Sequence, residues 1–146
     1  MTEPTITIYT DGACRGNPGP GGYAAILVAT NGDGRVLKEL TVSGGEAHTT
    51  NNRMELRAAI EGLRALSDPT RVSLLSDSEY LVKTMKFRWK RHKNLDLWAE
   101  IDALAATHTI NWRHVRGHAG HEYNERCDRL AVAEIAKLKA PGRAAE

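Results

Sequence analysis

The chain has 146 residues, 41% of them hydrophobic and 26% charged, with a formal net charge of +2 and two cysteines. That length suits one domain around a single core, and a charge so close to zero says little about partners. No apolar run approaches the ~20 residues of a membrane span, "MTEPTITIY" lacks the basic and apolar parts of a signal peptide, and Cys14 and Cys127 are too few for a disulfide framework, so a cytoplasmic protein is expected.

Taken in chain order, "TITIYTD" alternates between faces and reads as a strand, with Thr7, Tyr9 and Asp11 on one side. A glycine and proline stretch follows to Gly22, so Asp11 is either a turn residue or a carboxylate held for chemistry. "GGYAAILVA" is a second apolar strand, and Asn31–Gly32–Asp33–Gly34 is a hairpin signal leading to a third, "RVLKELTVSG". From Asn51 to Leu66 the period changes: Leu56, Ile60, Leu63 and Leu66 recur at helical spacing, and Pro69 follows. "RVSLLSD" is a fourth strand, "SEYLVKTMKFRWKRHK" a helix that turns basic, and "LDLWAEIDALAATH" another helix. "TINWRHV" is a fifth strand, "RGHAGH" a glycine loop, and Glu122 to Lys139 a final helix.

A meander followed by alternating helices and strands predicts an α/β domain over residues 1–140. Its five-stranded mixed sheet has a three-strand antiparallel meander plus two parallel strands, flanked by helices. Residues 141–146 read as a disordered tail. Sites in such sheets lie beyond the carboxyl ends of the parallel strands. Asp11 ends the first strand and Asp77 the fourth, so both point there.

Between Lys83 and Lys93 stand Lys86, Arg88, Lys90 and Arg91 with no acid, interleaved with Phe87 and Trp89. The run is either a solvated helix face or a nucleic-acid surface. Glu55 lies beside the apolar stripe, with small Ala59 and Gly62 further along its own line. On spacing alone, a capping box from Asn52 to Glu55 is the preferred account of it. The spacing puts Asp128 at the head of an apolar stripe of Ala131, Val132 and Ile135, where an acid needs a partner or a metal. Four acids converge only around positive charge, since unpaired they would repel. All-oxygen ligation suits Mg²⁺ or Mn²⁺, and two such ions serve phosphoryl transfer.

These features are similar to those of the bacterial type 1 ribonuclease H enzymes. "YTDGACRGNPGPGGYAAIL", "TTNNRMELRAAI", "SDSEY" and "RGHAGHEYNERCDRLA" resemble the family's four signature blocks in order, and the resemblance spans about Thr5 to Leu138. It implies a ribonuclease H-like fold and cleavage of the RNA strand of RNA–DNA hybrids, leaving 3′-hydroxyl and 5′-phosphate ends. It implies that Asp11, Glu55, Asp77 and Asp128 bind the metals and that His118 serves proton transfer or product release. His118 also has a case of its own, since an imidazole between Gly117 and Gly120 titrates near neutral pH. The resemblance further implies that Asn17, Thr50, Asn51 and Asn52 touch the hybrid, that Thr50 and Asn94 hold a DNA-strand phosphate, and that Trp89 packs on a deoxyribose.

Three departures concern affinity. The basic segment ahead of "LDLW" is short, Glu79 replaces a base-contacting glutamine, and His48 replaces an arginine beside the phosphate pocket. A zinc site from His118, His121 and Cys127 is the weaker reading of the last block, as it lacks a fourth ligand. A DNA-acting nuclease of the same superfold and a non-catalytic hybrid-binding module remain the competing functions. A monomer without an obligate protein partner is expected, because no uncovered apolar helix face stands out.

Overall fold

A computed structural model of the chain describes residues 4–116 and 122–144. Apolar residues at alternate positions in the strands and at three-to-four spacing in the helices produce nine elements. They are β1 (Thr5–Cys14), β2 (Gly19–Thr30), β3 (Val36–Thr49), α1 (Asn51–Arg64), β4 (Arg71–Ser76), α2 (Glu79–Phe87), α3 (Leu95–Thr107), β5 (Thr109–His114) and α4 (Glu122–Ala144). The sheet order is β3-β2-β1-β4-β5. β1 pairs antiparallel with β2 and β2 with β3, whereas β4 runs parallel to β1 and β5 parallel to β4. This is the mixed sheet expected from the order of elements.

Alternation along β2 divides the interior. Ala25 and Leu27 pack with Ile8, Leu56, Ile60, Leu63, Leu81, Trp98 and Ile101, so α1, α2 and α3 cover one face. Ala24, Ile26 and Val28 pack with Cys127 and, more loosely, Tyr9 and Tyr123, so α4 covers the other. Each large side chain so buried contributes about 1.5–3 kcal/mol. Small residues set the spacing: a Cβ at Gly62 would come within 3.0 Å of Ala25 and Ile8, and one at Gly22 within 2.1 Å of the Ala131 carbonyl oxygen. Gly62 thus lets α1 lie close against the sheet.

Several boundaries differ from the sequence expectation. β1 continues past Asp11, pairing Gly12, Ala13 and Cys14 with Tyr23, Gly22 and Gly21. The chain reverses only at Arg15–Pro18, where Arg15 N–H donates to the Pro20 carbonyl (2.8 Å) and Gly16 takes φ 77°. α2 stops at Phe87, six residues short of the expected end, because Arg88 adopts a left-handed conformation (φ 56°). Beyond Phe87 no residue through Lys93 is buried, so packing gives the helix no reason to continue. α4 runs to Ala144, past Lys139 and into the stretch read as a tail.

Its buried stripe is Cys127, Ala131 and Ile135, whereas Val132 is 36% exposed. The stripe is therefore displaced by one residue from the one expected, and Asp128 stands beside it, exposed, rather than at its head. Among the described residues no helix is long and apolar enough to cross a membrane.

Candidate active site

The site forms where β1 and β4 part company. Their parallel register pairs Tyr9 with Leu75, so two residues further on Asp11 and Asp77 stand abreast on strands about 4.8 Å apart. β4 ends at Ser76, leaving Asp77 at its tip, while β1 carries on in its pairing with β2.

Glu55 arrives from α1 through a close backbone approach. A Cβ on Gly12 would lie 2.5 Å from both the Glu55 nitrogen and the Met54 carbonyl carbon, so α1 rests directly on the bare Gly12 backbone. The capping box expected from Asn52 and Glu55 is not formed. Thr50 caps α1 instead, its hydroxyl accepting from Arg53 N–H (3.2 Å). Glu55 is turned inward and 5% exposed, and its Oε1 is buried without a hydrogen-bond partner among the described residues.

Asp11, Glu55 and Asp77 each bring a carboxylate oxygen within 4.8 Å of the other two. Asp11 is 8% exposed and accepts from Gly12 N–H at 3.0 Å. Burial first, then the charges of Asp77 and Asp128, push its carboxyl from an ordinary 3.8 up to about 8. Burial, then Asp11 and Asp77, hold Glu55 well above the ordinary range. Asp128 lies close enough to act on Asp11 by charge and hydrogen bonding, but outside the three-oxygen cluster.

A buried oxygen without a partner and two carboxyls disfavoured as anions are what a cation-binding site looks like before charge compensation. The all-oxygen donor set fits Mg²⁺ or Mn²⁺.

The start of α4 is fastened at three points. Tyr123 stacks on Tyr9 at 4.7 Å, Tyr123 and Arg126 both bond Glu39, and the Cys127 thiol donates to the Tyr9 carbonyl at 3.3 Å. Burial pushes that thiol up to about 12. His118 and His121 lie outside the described residues.

Around this centre, the side chain of Asn17 accepts from Asn51 N–H at 2.9 Å and ties the glycine–proline loop to the start of α1. Asn51 and Asn52 are exposed there. Trp89 is 46% exposed and Phe87 62%, whereas Trp98 and Trp112 belong to the core, which separates the three tryptophans. Lys83 pairs with Glu79 at 2.9 Å and lies 5.9 Å from the Trp89 ring centre, so the unexpected acid is neutralised within its own helix.

Lys86, Arg88 and Lys90 are in the exposed part of the basic run. Arg91 is different: it bonds Asp102 and lies 4.7 Å over the Trp98 ring.

Two features escaped the sequence. The only signal of Gly12 in the sequence was its place next to Asp11. Arg53 forks onto Asp96 (3.0 and 2.8 Å) and reaches Asn94 at 3.2 Å, contacts 41 and 43 residues away that no local pattern announces.

The RNase H family model matches residues 3–136. Ribonuclease H of Dinoroseobacter shibae is 49% identical, over 96% of this chain and 96% of that one. Among solved structures, LC9-RNase H1, a type 1 RNase H with the type 2 active-site motif, is 35% identical with a TM-score of 0.80, over 94% of this chain and 74% of that one. LC11-RNase H1, solved in complex with RNA/DNA hybrid, is 31% identical with a TM-score of 0.73, over 92% of this chain and 99% of that one. A sheet of this order, carboxylates gathered at its parallel strand ends and likeness along nearly the whole chain lead to one assignment: the chain belongs to the ribonuclease H family.

Proposed function

We propose that residues 1–140 form an endoribonuclease unit that hydrolyses the RNA strand of RNA–DNA hybrids, leaving 3′-hydroxyl and 5′-phosphate ends. The observation that carries this reading is the convergence of Asp11, Glu55 and Asp77 from three elements, with Glu55 offering a buried oxygen that no group among the described residues satisfies. Asp11, Glu55, Asp77 and Asp128 would hold divalent cations, Mg²⁺ or Mn²⁺, two of them with substrate bound. Such ions, when bound, activate a water and stabilise the leaving oxygen.

The chain's own groups do the rest. Asp11 and Asp77 anchor the centre from neighbouring strand ends, Glu55 closes it from α1, and Asp128 completes it from α4. His118 moves a proton to the leaving group or aids release of product. Asn17, Asn51 and Asn52 stand where amides can read 2′-hydroxyls, the feature that separates RNA from DNA. Thr50 and Asn94 hold a phosphate of the DNA strand. Lys86, Arg88 and Lys90 follow the backbone, with Trp89 against a deoxyribose and Glu79 masked by Lys83. Arg91 supports the same surface through Asp102 and Trp98. One chain supplies every one of these groups, so a monomer suffices.

Incubation of the protein and Mg²⁺ with labelled hybrid, duplex DNA and duplex RNA tests the reading. The expected result is cleavage of the RNA strand of the hybrid alone. Cutting of duplex DNA would make it a DNA-acting nuclease of this fold, and binding without product a non-catalytic hybrid-binding module.

A further inference from the structure

Arg53 touches both residues of the phosphate pocket just described, and it touches them with different parts of itself. Its backbone N–H donates to Thr50 Oγ1 at 3.2 Å, and its Nη1 donates to Asn94 Oδ1 at 3.2 Å. The guanidinium is fixed in turn by the two oxygens of Asp96, at 3.0 and 2.8 Å.

Arginine has donors and no acceptor, so it admits only one orientation of the Asn94 amide: oxygen inward, NH₂ away. One hydrogen of that NH₂ goes to Tyr80 Oη at 3.1 Å, an oxygen that also accepts from the Trp98 indole at 3.1 Å. The other N–H has no partner among the described residues. Thr50 is polarised likewise, because its oxygen is taken by Arg53 N–H and its hydroxyl hydrogen is left to donate.

The backbone supports this arrangement. Asn94 precedes α3 in a left-handed conformation, φ 60°, and makes no side-chain hydrogen bond to its own helix. The capping opportunity is forgone, and the side chain spans to α1 instead. The ion pair itself adds little to stability, since Arg53 is 30% and Asp96 63% exposed. Its evident effect is orientation.

We infer that Arg53 is a positioning residue that sets Thr50 and Asn94 as paired hydrogen-bond donors for a DNA-strand phosphate. The inference rests on the phosphate reading of Thr50 and Asn94 given above. With Asp96 neutralising Arg53, the phosphate is gripped by directed donors, so geometry counts for more than charge.

The test combines Arg53→Met, Asn94→Ala and their double variant with hybrids carrying one uncharged methylphosphonate at successive DNA positions. Wild-type protein should show one position where the substitution raises KM about tenfold, the loss expected for a hydrogen bond to a charged group. Arg53→Met should raise KM for the unmodified hybrid by a similar factor with kcat within about twofold, and should lose the sensitivity at that position. The double variant should be no worse than Asn94→Ala alone. Tyr80→Phe, which keeps the ring and removes the oxygen, should act in the same direction and serves if Arg53→Met fails to fold.

Penalties of Arg53→Met and Asn94→Ala that multiply, or undiminished methylphosphonate sensitivity in both Arg53→Met and Tyr80→Phe, would overturn the positioning role while leaving the pocket intact. A flat methylphosphonate scan in wild-type protein, with no change of KM in Asn94→Ala, would remove the pocket reading and the inference with it.

Discussion

Asp11 and Glu55 hold their places at a cost to the fold. Asp11's carboxyl sits at about 8 against an ordinary 3.8, so between these values the folded chain binds a proton that the unfolded chain has released. Its contribution to stability is complete below about pH 4 and is lost as pH rises through 8. Metal-free protein should therefore melt at progressively lower temperature from pH 5 to pH 8, and Mg²⁺ should raise the melting temperature more at pH 8 than at pH 5. Calorimetric scans with and without metal check this, and equal metal effects at both pH values would count against the site.

The same reasoning applies to Glu55, buried with an unpartnered oxygen. Glu55→Gln should be neutral or stabilising in metal-free protein at pH 8 while hybrid cleavage falls by about 100-fold or more, the scale expected when charge stabilisation of a transition state is lost. Melting curves and single-turnover rates on one preparation separate the two effects.

At the scale of elements, the joint between β1 and α1 decides whether the carboxylates meet. Gly12→Ala would push a methyl group against the backbone of Met54 and Glu55. The expected cost is about 1–3 kcal/mol of stability together with weaker metal binding, as α1 and Glu55 move off Asp11. Gly34→Ala is the control: its Cβ would meet open space, so only its positive φ penalises it, and activity should be unchanged. Chemical denaturation and metal titration of both variants provide the comparison.

Elements of this kind were largely legible in the sequence, because period-two strands and a period-3.6 helix announce themselves locally. The placement of Asp11 and Asp77 side by side, just past the parallel pairing of β1 with β4, followed from chain order, although β1 itself runs on to Cys14. Glu55 did not follow, because Asn52-x-x-Glu55 is a valid local capping pattern, and what excludes it is long-range: the contact of Gly12 with α1. Asp128 was misjudged by one step of the α4 stripe, since Val132 and Cys127 are equally acceptable there until the sheet selects Cys127. The early end of α2 at Arg88 was hidden because lysine and arginine favour helix as much as solvent. Arg53, Asn94 and Tyr80 meet only through tertiary packing, so no window of sequence contains them together.

For the molecule as a whole, a net charge of +2 on 146 residues leaves hybrid binding to local features. The exposed Lys86, Arg88 and Lys90 beside Phe87 and Trp89 concentrate basic and apolar surface on one short stretch, while the acids of the active site come from β1, the tip of β4, α1 and α4. Hybrid affinity should fall steeply with salt, because phosphate contacts release counterions. Replacing Lys86, Arg88 and Lys90 with Ala should raise KM more than it lowers kcat and flatten the slope of log affinity against log salt by up to about 3. Arg91→Ala should act instead through stability, as Asp102 and the Trp98 face lose their partner. Binding isotherms at several salt concentrations, with melting curves beside them, distinguish these outcomes.

The most direct measurement of the central claim is cleavage of an RNA–DNA hybrid by wild-type, Asp11→Asn and Asp77→Asn proteins in Mg²⁺ and in Mn²⁺, with folding verified for each. Wild-type protein should cut the RNA strand, and both variants should remain folded and yield no product in either metal. Retained cleavage by both variants would contradict the assignment of these two aspartates, and with it the metal-dependent mechanism built on them.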